Sequence, residues 1–229
     1  MTGLRIISHS AEPFRDRVEA GQMLGAELDS LRGQGAVVLG IPRGGLVVAQ
    51  ALATAIGGQL DIVLARKLRT PGHPELALGS VSEDGRLFLN DNLVRAIGIE
   101  RSYIEEEKAA QMVEMGRRCA LVRRVAPKIP LAGKTVIVTD DGVATGATLQ
   151  AALWAARQEK PLRLIAALPV GPEDTIKRLA GDADEMVCLR APPDFAAVGQ
   201  FYLRFDQVED DTVLAILRQA RRGQPFRDR

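Results

Sequence analysis

The sequence predicts an α/β fold: a mostly parallel, doubly wound sheet carrying a helical insertion and a small hood. Three observations predict it. Short aliphatic runs alternate with helical segments across residues 36–189, and that alternation gives parallel strands joined by right-handed crossovers. Two of the runs pass through small-residue loops directly into helices, at 41–46 and 139–149. The composition, 46% hydrophobic but only 4% aromatic, suits a core of layered Val, Ile, Leu and Ala. The 229 residues are enough for one large domain, with a core at about 36–190, the insertion at about 91–128 and the hood or tail at about 191–229.

Taken in order, residues 13–32 read as a helix. Pro13 stands near its start, Val18, Met23, Leu24, Leu28 and Leu31 recur at helical spacing, and Gly33 and Gly35 stop it. Nothing in the segment points to chemistry, so core packing is the expectation. Residues 36–41 are a buried aliphatic strand, and residues 46–56 a helix that Gly57 and Gly58 end. Between them lies Pro42-Arg43-Gly44-Gly45. Its glycines let backbone N–H groups approach an anion, and Arg43 offers a forked donor suited to phosphate oxygens. An arginine that merely caps a neighbouring turn is the plainer reading of this loop alone.

Residues 61–65 read as the next strand, with Arg66 and Lys67 at its carboxyl end, the edge where open parallel sheets bind ligands. Either charge alone is equally well explained as solvated. Residues 68–76 are rich in Pro and Gly without periodicity, which predicts a mobile connection. Residues 78–81 and 86–89 predict a hairpin across Glu83-Asp84-Gly85. Residues 100–124 predict a long helix with Ile104, Met112, Met115, Cys119 and Val122 roughly on one face. Its acids Glu105, Glu106 and Glu107 lie early and Arg117, Arg118, Arg123 and Arg124 late, the order that complements the helix dipole. Pro127 and Pro130 close the insertion.

The stretch 136–148 organises the rest. Three β-branched residues lead into Asp140-Asp141 and then into Gly142-Val143-Ala144-Thr145-Gly146-Ala147-Thr148, after which the pattern turns helical. The first N–H groups of a helix lack internal partners and sit at its positive end, so they attract an anion. Gly142 and Gly146 let the backbone wrap closely, and Thr145 and Thr148 add hydroxyl donors. No Lys follows Gly146, which excludes a Walker loop, and a dinucleotide fingerprint has no acid pair ahead of its glycines. Two carboxylates beside a phosphate cradle can hold vicinal hydroxyls, or Mg²⁺ through its waters. That combination describes a ribose 5-phosphate site. An ordinary β–α turn explains one capping acid but not the whole series.

This stretch closely resembles the signature of the type I phosphoribosyltransferases: apolar strand, two acids, and a small-residue loop with Thr-Gly-x-Thr. The resemblance spans residues 36–189. It implies Mg²⁺-dependent transfer of ribose 5-phosphate from phosphoribosyl pyrophosphate to a nitrogen acceptor. It further implies that Asp140 and Asp141 hold the ribose hydroxyls and the metal, that residues 142–148 hold the 5-phosphate, and that Arg43, Gly44, Gly45 and Arg66 or Lys67 meet the pyrophosphate. By the same resemblance, the 68–76 loop closes over bound reactants and a homodimer forms. Enzymes of the family acting on 6-oxopurines carry an acid where this chain has Ala144, which disfavours hypoxanthine and guanine. Adenine and orotate enzymes tolerate Ala or Thr there, so the acceptor stays open.

After the cradle helix, residues 162–168 are a strand, residues 171–179 a helix and residues 185–189 a last strand. The tail is the aromatic-rich region. The family's hood holds the base, which makes Phe195, Phe201 and Tyr202 the base-stacking candidates, against aromatic packing of a final strand. Residues 209–222 end as a basic helix. Phe-Arg-Asp-Arg occurs at 14–17 and again at 226–229, too short to be a repeat.

Composition excludes several classes. The 30 basic and 29 acidic residues nearly cancel, so no overall field recruits nucleic acid or anionic membrane. No apolar run is long enough for a bilayer, and the N-terminus lacks a signal-peptide core. Cys119 and Cys188 have no metal-like spacing and fit buried thiols in the reducing cytoplasm, and two histidines leave no His-based metal site or triad. Two rivals remain: a regulator that keeps the fold and senses phosphoribosyl pyrophosphate without turnover, and a pyrophosphokinase-like or phosphohydrolase use of the same acids.

Overall fold

The computed structural model of the chain describes residues 3–222. Its elements are β1 (Gly3–Ser8), α1 (Arg17–Glu27), β2 (Val37–Gly40), α2 (Gly44–Ile56), β3 (Gln59–Ile62), β4 (Ala65–Thr70), β5 (His73–Ser82) and β6 (Leu87–Leu89). There follow α3 (Asp91–Ile97), α4 (Arg101–Val125), β7 (Thr135–Thr139), α5 (Ala147–Arg157), β8 (Arg163–Val170), α6 (Glu173–Leu179), β9 (Glu185–Arg190) and α7 (Asp210–Arg221). Six strands form a parallel sheet in the order β1-β9-β8-β7-β2-β3, and β4-β5-β6 form a small antiparallel sheet; this sheet, rather than the tail at 191–229 where it was expected, is the hood.

The chain is wound both ways from the centre of the large sheet. From β2 it steps outward to β3 on one side, and from β7 it steps through β8 to β9 on the other. β2 and β7 are neighbours, with Val37 beside Val136 and Gly40 beside Thr139. The strand order therefore reverses between them, and the crevice at their carboxyl ends is where doubly wound sheets bind ligands.

The strands are apolar because both faces are covered. One face buries Val38, Ile137, Ile165 and Val187 against α1, α2 and α7. The other buries Val136, Val138, Leu164 and Met186 against α5 and α6. On the first face α1 lies close on α2, since a Cβ at Gly21 would come within 2.4 Å of the Val48 carbonyl and one at Gly25 within 2.4 Å of the Ala55 methyl.

Several expectations are corrected. The N-terminal helix starts only at Arg17, because the Asp16 side chain caps it by accepting from the Glu19 N–H and Phe14 is extended, bridged to Tyr202. β1 was not foreseen: it is an edge strand whose residues are half-buried at best, without an apolar run. The strand expected at 61–65 is split. β3 ends at Ile62 and β4 begins at Ala65, so Arg66 and Lys67 stand on the antiparallel sheet rather than at the tip of a parallel strand. The segment 68–76, expected as an irregular connection, turns at Pro71-Gly72 between β4 and β5. Leu68 and Leu78 supply buried positions that give this hairpin its own small core with Val81 and Ile104. The second Phe-Arg-Asp-Arg, at 226–229, lies outside the described residues.

Candidate functional site

Strand β7 ends at Thr139, and the next two residues carry the acids. Their carboxylates sit against the start of α2. A Cβ on Gly44 would lie 1.9 Å from Asp141 Oδ2, and one on Gly45 would lie 2.7 Å from both the Cα and Oδ1 of Asp140. The two glycines of the first loop are thus what lets the acids of the second loop fit. The peptide bond Pro42–Arg43 just before them is cis.

The acids are not equivalent. Asp141 accepts from Arg17 Nε at 2.8 Å, and its carbonyl accepts from the Tyr202 hydroxyl at 2.6 Å. Asp140 Oδ1 accepts from the Asp141 N–H at 2.9 Å. Burial first, and then the neighbouring Asp141 carboxylate, push the Asp140 carboxyl well above the usual range, while the Arg17 cation works the other way. A proton is therefore held more tightly at Asp140 than at an ordinary carboxyl, and Asp141 is the ion-pair partner of Arg17.

The loop between the acids and α5 is fixed from behind. The Val143 N–H donates to the Val170 carbonyl at 2.9 Å. The Thr175 hydroxyl donates to the Ala144 carbonyl at 3.0 Å, and Arg178 Nη2 donates to the Thr145 carbonyl at 2.5 Å. Gly146 caps α5 in the left-handed region at φ 75°, and a Cβ there would come within 2.5 Å of Leu179. Gly142 is as tightly placed, with 2.6 Å between a Cβ and Val198. Ala144, Thr145 and Thr148 are exposed at the start of α5, the positive end of its dipole. The arrangement can take up an anion from solvent.

Beside the loops lies a cavity of about 290 Å³. It is lined by Pro42, Arg66, Lys67, Arg69, Arg118 and Thr148 among others, so it joins residues of both loops to the hood and α4. Its cations are already engaged. Arg66 pairs with Glu114, and Arg69 pairs with the buried Glu107 at 2.8 Å. Arg69 and the Gln111 amide hold Glu107 below the usual carboxylate range, against the burial that raises it. Arg43 reaches Glu209 at 3.4 Å, near the start of α7.

A family model matches residues 19–206; it is the model for the phosphoribosyl transferase domain. The chain belongs to that family. Two Mycobacterium tuberculosis sequences, from strains CDC 1551 and H37Rv, bear the name "Putative phosphoribosyl transferase" and are each 44% identical over 209 residues, 91% of this chain and 47% of their own length. The chain spans about half the length of these curated relatives. The crystal structure of TT1426 from Thermus thermophilus is 46% identical, with a TM-score of 0.87, and the match covers 90% of this chain and 98% of that one.

Within this phosphoribosyl transferase fold, Asp140 and Asp141, which lead into residues 142–148, pack directly on Gly44 and Gly45. Two of the aromatic candidates do not form an exposed platform. Phe201 is fully buried, stacked on Phe195 with ring centres 5.2 Å apart, and the buried Tyr202 packs on Phe14. An aliphatic core that is short of large side chains draws these rings in. Phe205 is the ring near the acids that keeps some exposure. It stacks on Tyr202 at 5.0 Å and lies 3.9 Å from the Arg17 guanidinium. Sequence reading missed Arg17, Thr175, Arg178 and Phe205. Only Arg178 carried a signal, a cation in the helix that follows the next strand.

Proposed function

We propose that this protein transfers ribose 5-phosphate from phosphoribosyl pyrophosphate to the nitrogen of a base or related acceptor, releasing pyrophosphate. The observation that carries the reading is the acid pair packed on Gly44 and Gly45 and leading directly into the exposed start of α5. Such a site offers hydroxyl acceptors and a phosphate cradle side by side.

In this reading residues 142–148 anchor the 5-phosphate, and that remote binding energy positions C1. Asp140 and Asp141 accept hydrogen bonds from the ribose hydroxyls. The acid pair also offsets the positive charge that grows on the ribose as the C1–O bond breaks. Arg66 and Lys67, on the wall of the neighbouring cavity, and Arg43, which follows Pro42 of its lining, meet the departing pyrophosphate, with Gly44 and Gly45 giving it room. The acceptor nitrogen bonds to C1 as the bond to pyrophosphate breaks, and its proton passes to the departing pyrophosphate or to water. Phe195 is the retained base-side candidate, and Phe205 joins it.

The donor set fits Mg²⁺ of a particular kind. Asp140 and Asp141 supply two carboxylates, one oxygen of which already serves Arg17. No group of three or more His, Cys, Asp or Glu able to hold a metal occurs among the described residues. Such a pair suits Mg²⁺ shared with substrate oxygens and water rather than a closed protein cage. The ion, when bound, neutralises charge on the pyrophosphate.

No helix among the described residues is long and apolar enough to cross a membrane. We place the reaction in the cytoplasm, with the core at 36–190, the insertion at 91–128 and the tail at 191–229 working as one unit, and with Ala144 steering the acceptor away from 6-oxopurines. The test is incubation with Mg²⁺, labelled phosphoribosyl pyrophosphate and a panel of bases. Nucleotide formation supports transfer. Binding without turnover would make the protein a sensor, and release of phosphate regardless of base would make it a hydrolase.

A further inference from the structure

Two arginines beside the candidate site are held by adjacent acids at the start of α7. Arg43, in the first loop, reaches Glu209 at 3.4 Å. Arg118, within α4, reaches Asp210 at 3.5 Å. Glu209 is the cap of α7 and Asp210 its first residue. In each pair a single carboxylate oxygen is engaged, at a long distance and open to water. Pairs of that kind contribute least. Arg69 is the contrast, fixed to the buried Glu107 through its backbone N–H, Nε and Nη2.

Arg118 stands between two spaces. On one side it lines the cavity of about 290 Å³ together with Arg66, Lys67 and Arg69. On the other it lines a narrow cleft with Asp210, Val213 and Leu214, and Pro42 borders both. The α4 residues on the cavity, Gln111, Glu114, Met115 and Arg118, recur at helical spacing, so Arg118 belongs to the face turned toward it. A phosphate group accepts the forked N–H donors of an arginine in pairs, which one distant carboxylate oxygen does not do.

We propose that Arg118 is a further pyrophosphate-binding residue, and that Glu209 and Asp210 form a latch holding Arg43 and Arg118 until a diphosphate takes them. Binding exchanges two weak ion pairs for charge-assisted bonds to phosphate and frees the start of α7. The inserted helix and the tail thereby set the affinity for the leaving group, although neither belongs to the central sheet. That the anion is pyrophosphate rests on the transfer reading. The latch itself is a relationship between α4, α7 and the first loop.

Calorimetric titration of inorganic pyrophosphate and of ribose 5-phosphate, each with Mg²⁺, into the full chain and its variants tests it. Arg118→Gln should weaken pyrophosphate binding ~10-fold and leave ribose 5-phosphate unchanged. Asp210→Asn should tighten pyrophosphate binding ~2–5-fold, the reach of an exposed pair. In the double variant that gain should vanish, since Asp210 then has no arginine to withhold. Asp211→Asn is the control: this exposed acid, the next residue of α7, has no cation partner among the described residues. It removes the same charge and should change little. A pyrophosphate affinity indifferent to Arg118→Gln, a gain that persists in the double variant, an equal gain from Asp211→Asn, or no pyrophosphate binding at all overturns the proposal. Failure of ribose 5-phosphate alone to bind, with the pyrophosphate results as expected, would overturn the transfer reading and leave the latch standing.

Discussion

Arg17 and Asp141, 124 positions apart in sequence, meet at 2.8 Å where the start of the first helix reaches the loop that follows β7. The same guanidinium donates to the Asp206 carbonyl at 2.9 Å and lies over Phe205. One side chain thus ties the N-terminal helix and the tail to the acid pair. Its loss exposes Asp141 to the repulsion of Asp140 without a compensating cation. Arg17→Ala should lower kcat/KM by roughly 10–100-fold, ~1.4–2.7 kcal/mol, in the range of a lost charge-assisted hydrogen bond. Because Arg17 also holds the Asp140 carboxyl down, the acidic limb of the rate profile should move to higher pH. An unchanged pH profile in this variant contradicts the pairing.

Asp140 is strained electrostatically. Its folded-state pKa is raised, so the native chain binds a proton more tightly than the unfolded chain does. Stability therefore falls as pH rises from the unfolded value through the raised folded value, and the loss is complete only above the folded value. Asp140→Asn removes that loss. The variant should melt higher at pH 7, with a flatter dependence of Tm on pH, while turnover drops, a trade of stability against function. For a chain of this size a gain of ~1 kcal/mol appears as ~2–4 °C. Thermal unfolding between pH 4 and 8 checks it, and a lower melting point at pH 7 counts against it.

Gly44→Ala should disable the site without any change in charge. The added methyl would fall on Asp141 Oδ2 and within 2.8 Å of Arg17 Nε, so either the acid or the helix start must move. Overpacking of this kind costs ~1–3 kcal/mol. The expected outcome is a modest fall in Tm with a much larger fall in kcat/KM. Normal kinetics would mean the acids need no such close approach.

The two rings Phe201 and Phe205 should separate stability from binding. Phe201→Ala empties a fully buried site and should cost ~3–5 kcal/mol in denaturant unfolding. Phe205→Ala, at an exposed ring beside Arg17, should cost little stability and raise KM for the acceptor. Equal stability losses in the two variants would place Phe205 in the core.

The sequence made the sheet and the cradle legible because each is written in adjacent residues. Strands β2, β7, β8 and β9 are aliphatic runs, and the acids and small residues of 140–148 follow β7 without a break. What stayed hidden depends on distant contacts. Arg17 looked like any exposed charge of an amphipathic helix, since its partner lies at the far side of the chain. The hood was concealed by Pro71 and Gly72, which read as irregular loop but make the turn of a hairpin held by Leu68 and Leu78. Phe201 and Tyr202 read equally well as platform or core, and only the shortage of other large side chains favours the core.

The central claim is that a phosphorylated ribose binds where the Asp140–Asp141 pair meets the 142–148 loop. Calorimetric titration of phosphoribosyl pyrophosphate with Mg²⁺ into the wild-type chain and into Asp140→Asn/Asp141→Asn tests it most directly. The account predicts micromolar binding in the wild type and a loss of roughly 100-fold, ~2.7 kcal/mol, in the folded double variant. Equal affinity in both proteins contradicts it.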